Sequence, residues 1–228
     1  MPFPLHPLHR TLARAVVLAL AIGDVLMTPT SSTQSATTQI DLSAMKPGLA
    51  PEDFAFSRTG NGNVGEWRVM DDPTASNRRV IAQMSTDPTD YRFPLAVYQR
   101  VTAKNVDVKV RFKPVAGKVD QAGGIVVRLT SPDDYYVVRA NALEDNVRFY
   151  RVLKGKRQEL KGAKAKVATS AWHTLELRAE GDRFTVSFDG KQLFTAQDST
   201  FTGAGRVGLW TKADSVTYFD TIAITSLD

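Results

Sequence analysis

The sequence predicts an all-β fold, two antiparallel sheets packed face to face. Three observations predict it. From Phe54 onward, short runs of alternating apolar and polar residues are separated by turn residues, the signature of half-buried strands. No stretch sustains a 3.6-residue apolar period, so no major helix is expected. About a dozen such runs in 228 residues suit one large β domain and hardly two.

The expected strands follow in order. The first are Glu-Trp-Arg-Val-Met (66–70), Val-Ile-Ala-Gln-Met (80–84), Leu-Ala-Val-Tyr (95–98) and Val-Asp-Val-Lys-Val-Arg-Phe (106–112). Next come 124–129, 135–141 and 146–153, then 172–179, 183–188 and 191–196. They are rich in the β-branched and aromatic residues that fit a pleated surface. Phe188-Asp189-Gly190-Lys191 sets Asp-Gly between two alternating runs, the strongest short hairpin signal. Residues 131–134 and 154–156 read as turns, as do the pairs Asp71-Asp72 and Asp133-Asp134. The end, Gly205 to Ile224, is a closing hairpin: a glycine-flanked strand, a polar turn over 213–215, and an alternating strand.

The start differs in character. Arg10 and Arg14 precede an apolar run from Ala15 to Ile22, and small polar residues follow. Basic, then apolar, then small is the layout of a secretory signal peptide, assigned to 1–35. The run is shorter than the roughly 20 residues a bilayer span needs. Residues 36–52, rich in Ser, Thr, Gln and Pro over their first part, read as a flexible linker, and 53–228 as the domain. The expected location is therefore exported, periplasmic or extracellular.

Cysteine is absent, which removes disulfides, thiolate metal sites and cysteine nucleophiles. A domain of this size can rely on its core instead. The formal charge is +5, or +4 without residues 1–35, and reads as mild and scattered. That excludes the concentrated basic face of a nucleic-acid binder.

Six segments together carry a resemblance. They are Gly-Ile-Val-Val-Arg-Leu (124–129), 131–141, Asn-Val-Arg-Phe-Tyr-Arg-Val (146–152), Trp-His-Thr-Leu-Glu-Leu (172–177), 183–194 and Gly-Arg-Val-Gly-Leu-Trp (205–210). In this order the chain resembles the concanavalin A-like lectin/glucanase superfamily, particularly the 3-keto-disaccharide hydrolase domain branch, over about 53–225. The resemblance implies a jelly-roll sandwich with a concave face. It does not imply an activity, because that superfamily hosts lectins, glycosidases and adhesive modules alike. Its glycosidase signature, Glu-x-Asp-x-x-Glu on one strand, is absent; Glu176 and Glu180 share a face but read as solvent-side.

Strand alternation assigns faces. With the more apolar face as core, Arg128, Arg139, Asn141, Arg148, Tyr150, Trp210 and Lys212 fall on the concave side. Guanidinium forks, an amide and aromatic faces suit a sugar, and guanidinium also suits a carboxylate or sulfate. The alternative is ordinary cross-strand pairing on a wet face, with Trp210 half buried. His173 reads as structural. The resemblance also implies one metal position: Asp220 on the last strand, faced by Asp53, for a structural calcium ion.

The expected function is non-catalytic carbohydrate recognition by an exported domain, with a glycan partner that can be anionic. One alternative is a glycoside-cleaving enzyme, with Glu144, Asp145 and the Arg128/Arg139 pair as its nearest groups. The other is a structural or protein-interaction module.

Overall fold

A computed structural model describes residues 1–4 and 36–228, so the expected signal segment falls almost entirely outside the described residues. Among the described residues there are fifteen strands and no helix, hence none that could cross a membrane. In chain order these are β1 (Thr37–Gln39), β2 (Phe54–Gly60), β3 (Trp67–Asp71), β4 (Arg79–Gln83) and β5 (Arg92–Ala103). Then follow β6 (Val106–Ala116), β7 (Ala122–Ser131), β8 (Asp134–Asn141), β9 (Asn146–Leu153) and β10 (Lys156–Lys164). The last are β11 (His173–Glu180), β12 (Arg183–Phe188), β13 (Lys191–Gln197), β14 (Gly205–Thr211) and β15 (Val216–Ser226).

One sheet has the order β13-β12-β11-β6-β15-β4-β3, with β1 added on β15, and the other β10-β9-β8-β7-β14-β5-β2. All pairings are antiparallel. This is the expected two-sheet sandwich. The Asp189-Gly190 hairpin turn has both residues at positive φ, 48° and 76°, as a type I′ turn requires.

Between the sheets lies the main core. Ile125, Val127, Tyr136, Val138 and Phe149 come from one sheet and Val108, Val110, Leu177, Phe184 and Phe219 from the other, all buried. Trp67 and the segment from Ile40 to Met45 belong to the same core. Ile40, Leu42 and Met45 are buried in it, and β1 pairs with Thr225, Ile224 and Ala223 of β15. The expected flexible linker over 36–52 is therefore corrected. Three apolar anchors at polar spacing are enough to order a segment whose composition suggests a loop.

Two further strands escape the sequence reading. β2 is mostly half-buried, with Ala55 exposed and Thr59 buried, and β10 (Lys-Arg-Gln-Glu-Leu-Lys-Gly-Ala-Lys) is polar almost end to end. β10 is an edge strand, bonded to β9 alone, and it has no buried face to impose alternation.

The seven-stranded sheet curls. Thr59 of β2 reaches Tyr135 of β8, hydroxyl to hydroxyl at 2.6 Å, although three strands separate them in the sheet. Tyr91, just before β5, donates to Gly155 O at 3.0 Å and accepts from Arg157 N at 2.8 Å, beside the opposite edge strand. The concave face consequently forms a second core of its own: Phe93, Leu95, Val126, Val137, Tyr150 and Trp210 with their neighbours.

Candidate functional site

Six of the seven expected ligand-binding residues lie on the concave face, and the seven fall into three environments. Trp210 is fully buried, stacked on Phe93 with ring centroids 5.3 Å apart. It lies against Gly124, where a Cβ would come within 3.3 Å of its indole. The Arg157 guanidinium covers Phe93 at 4.7 Å and Tyr150 at 4.5 Å. Trp210 is thus a core residue, and the expectation of an indole open to a sugar ring is corrected.

Arg128 is the exception to the shared face. A register break between Val127 and Ser131, with Arg128 at φ 52°, reverses the alternation of β7. Leu129 turns into the concave core, and the Arg128 guanidinium donates to Lys104 O, Phe201 O and Gly181 O at 2.6–2.9 Å. It also lies 5.2 Å from the Phe184 ring. Arg128 pins three loops at one end of the sandwich and belongs to no ligand surface. It is also remote in environment from Arg139, so the expected Arg128/Arg139 pair does not form.

The remaining residues meet at the other end, where β8 and β14 finish and β9 begins. Lys212 bridges Asp90 at 2.9 Å and Asp120 at 2.8 Å. Asn141 donates to Asp120 at 2.6 Å and to Glu144 at 3.0 Å. Glu144 also accepts from Arg139 at 2.8 Å and Asn146 at 3.0 Å. Arg139 closes the chain on Asn146 Oδ1 and on the Tyr150 hydroxyl at 3.2 Å. The hairpin turn between β8 and β9 supplies Glu144 and Asn146, which is why one short segment can gather so many partners.

Electrostatics follow from this packing. Burial would raise the Glu144 carboxyl, but the Asn146 bond and the Arg139 charge outweigh it and hold it below its ordinary value. Burial is the largest influence on Asp120 and raises it, against the pull of Lys212. Burial also opposes the charge on Lys212, yet its two carboxylate partners carry it above its ordinary value.

One open edge of this network borders a depression; Asp90 is exposed at another. Glu144, Asn146, Arg148 and Glu159 line a depression of about 300 Å³ with Gly162, Ala163 and Lys164. Arg148 donates to both oxygens of Glu159 at 2.7 and 2.6 Å. The side chains of Glu144, Arg148 and Glu159 are 37–43% exposed, whereas Arg139 behind them is 4% exposed. The sequence reading found Arg148 and missed Glu159, which lies on the unrecognised strand β10.

The other candidates are placed elsewhere. Asp145 turns away from Glu144 to Lys166 at 2.8 Å and to Val167 N at 3.0 Å, so the two do not form an acid pair. Asp220 is buried on the eight-stranded sheet, accepting from Ser76 N at 2.7 Å and from Arg111. Asp53 pairs with Arg100 at 2.8 Å beside the other sheet. The expected calcium pair is not brought together, and no group of three or more metal-ligating side chains occurs among the described residues. His173 is structural, as its strand position suggests: Nδ1 meets Asp189 at 2.8 Å and Nε2 accepts from Ala168 N at 3.0 Å.

Comparison with known proteins fits this architecture. Solved structures of similar fold include the carbohydrate-binding module CBM66 from Bacillus subtilis, 20% identical, covering 75% of this chain and 95% of that one at a TM-score of 0.57. A Bacillus licheniformis β-glucanase is 13% identical and covers 86% of this chain and all of its own, at a TM-score of 0.55. A Bacteroides ovatus mixed-linkage glucan enzyme, in complex with a glucan product, is 11% identical over 82% and 99%, also at 0.55. At these identities the likeness establishes the fold, a concanavalin A-like jelly roll. No curated protein matches the chain. A family model described as the galactocerebrosidase C-terminal lectin domain matches residues 95–227, more than half of the sequence and nearly all of the curled sheet, and the chain belongs to that family.

Proposed function

We propose that this domain is an exported, non-catalytic glycan-binding module whose site is the depression between the β8–β9 turn and β10. The observation that carries the reading is the fixed Glu144 carboxylate beside the Arg148–Glu159 pair. Arg139 and Asn146 bond Oε2 of Glu144 and Asn141 bonds Oε1, which fixes the carboxylate and leaves Oε1, with its single donor, as an oriented acceptor. Arg148 and Glu159 offer a donor and an acceptor side by side, which matches a pair of neighbouring sugar hydroxyls. A depression of this size holds one sugar unit. The lectin-domain family and the carbohydrate-binding module among the structural neighbours support the same reading. The basic–apolar–small start of the sequence supports export.

With Trp210 and Tyr150 buried, binding here is polar and each hydroxyl contact replaces one to water, so affinity is low. Glu144, held as a carboxylate, is a poor proton donor near neutral pH, and Asp120 is buried behind Lys212 and Asn141. Those features support a non-catalytic role. The test is a glycan array followed by calorimetry on the strongest neutral oligosaccharide. Glu144→Gln and Arg148→Ala are expected to weaken binding about tenfold or more, consistent with loss of a charge-assisted hydrogen bond. An array without hits, or turnover of aryl glycosides that Glu144→Gln abolishes, would contradict the proposal.

A further inference from the structure

The net charge of +5 is not scattered. Residues 154–166 hold Lys154, Lys156, Arg157, Lys161, Lys164 and Lys166 against the single acid Glu159. That is a net +5, the formal excess of the entire chain, so all other residues together are neutral. The five lysines are exposed. Lys166 pairs with Asp145, and Glu159 is taken by Arg148. Lys154, Lys156, Lys161 and Lys164 form no ion pair among the described residues, while Arg157 is turned onto the Phe93 and Tyr150 rings.

These residues lie on and beside the edge strand β10, whose nine residues span about 30 Å at strand spacing. Lysine on an edge strand protects it from pairing with another sheet, and one or two suffice for that. Four exposed, unpaired lysines in thirteen residues exceed the need and repel one another unless an anion neutralises them. The strand also borders three depressions. One of about 320 Å³ involves Lys154, Lys156 and Arg157, a second of about 440 Å³ involves Lys161 and Arg183, and the third is the Glu144 depression with Lys164.

We infer that the β10 edge binds an acidic polysaccharide, with the carboxylates of successive uronate units paired to Lys154, Lys156, Lys161 and Lys164. The choice of a polysaccharide rests on the glycan-binding reading above, since the row runs into that site. Base stacking, which a nucleic acid would use, has no aromatic platform within residues 154–166. Insertion into a lipid surface would need an apolar ridge, and this stretch offers only Leu160 as a large apolar side chain.

The experiment compares the full-length protein with a Lys154→Gln/Lys156→Gln/Lys161→Gln variant, by calorimetry against polygalacturonate, with dextran as neutral control. The three side chains are exposed and unpaired, so the variant is expected to melt with the wild type. The wild type is expected to bind polygalacturonate with an affinity that falls steeply as salt shortens the screening length, to about 8 Å at physiological strength. The variant is expected to bind at least tenfold more weakly and with a shallower salt dependence. Equal binding by both proteins would overturn the inference, as would anionic vesicles or RNA binding where polygalacturonate does not. Glu144-dependent binding of a neutral sugar without lysine-dependent polygalacturonate binding would overturn this inference alone. Lysine-dependent binding without any Glu144-dependent sugar binding would support it and count against the site reading.

Discussion

Trp210 is the largest fully buried side chain of the domain, and its neighbours show that it holds structure. Phe93 stacks on one side of it, Gly124 admits it to the sheet, and Arg157 covers the group. Trp210→Ala is expected to lower the unfolding free energy by about 3–5 kcal/mol in urea titration, as buried Trp truncations do. A loss below about 1 kcal/mol together with abolished glycan binding would return Trp210 to the ligand surface. Acid stability has its own residue. The Asn63 amide, then the Thr89 hydroxyl and amide, lower Asp87 from 3.8 to about 2. A carboxyl depressed in the folded state stabilises it above its unfolded value, and that contribution is lost as pH falls from 3.8 toward about 2. Melting temperatures of Asp87→Asn should therefore fall less steeply than those of wild type across that window; parallel curves would show that the Asp87 bonds contribute nothing. Residue faces were readable from alternation at Arg139, Asn141, Arg148 and Tyr150. At Arg128 alternation fails because the bulge leaves no signature in its residue types.

At the scale of elements, legibility tracks burial. Strands with one apolar face, such as β9 and β12, stand out to within a residue of their ends. β10 does not, because an edge strand buried on neither face is free of the alternation that marks the others. The cost was Glu159, half of the open site. β1 and the segment after it are hidden for another reason: Ile40, Leu42 and Met45 are isolated anchors in polar surroundings. They nevertheless fill the main core. Leu42→Ala is expected to cost about 2–5 kcal/mol, read from the urea midpoint. A linker would show no change, and that result would remove 36–52 from the domain.

For the molecule as a whole, the curl of the seven-stranded sheet decides where a ligand can go. Two sheets were predictable from strand count and pattern. The curl was not, because it depends on contacts across the sheet, Thr59 with Tyr135 and Tyr91 with Arg157, between residues far apart in sequence. Curling fills the concave face with aromatic side chains and leaves the polar end as its accessible part. The account's central claim is that glycan binds there, between the β8–β9 turn and β10. Backbone amide chemical-shift mapping with the strongest oligosaccharide from the array tests it most directly. Shifts confined to residues 144–148 and 159–164 are the predicted result. Shifts centred on the outer face of the eight-stranded sheet, around Trp172 and Tyr218, would contradict it.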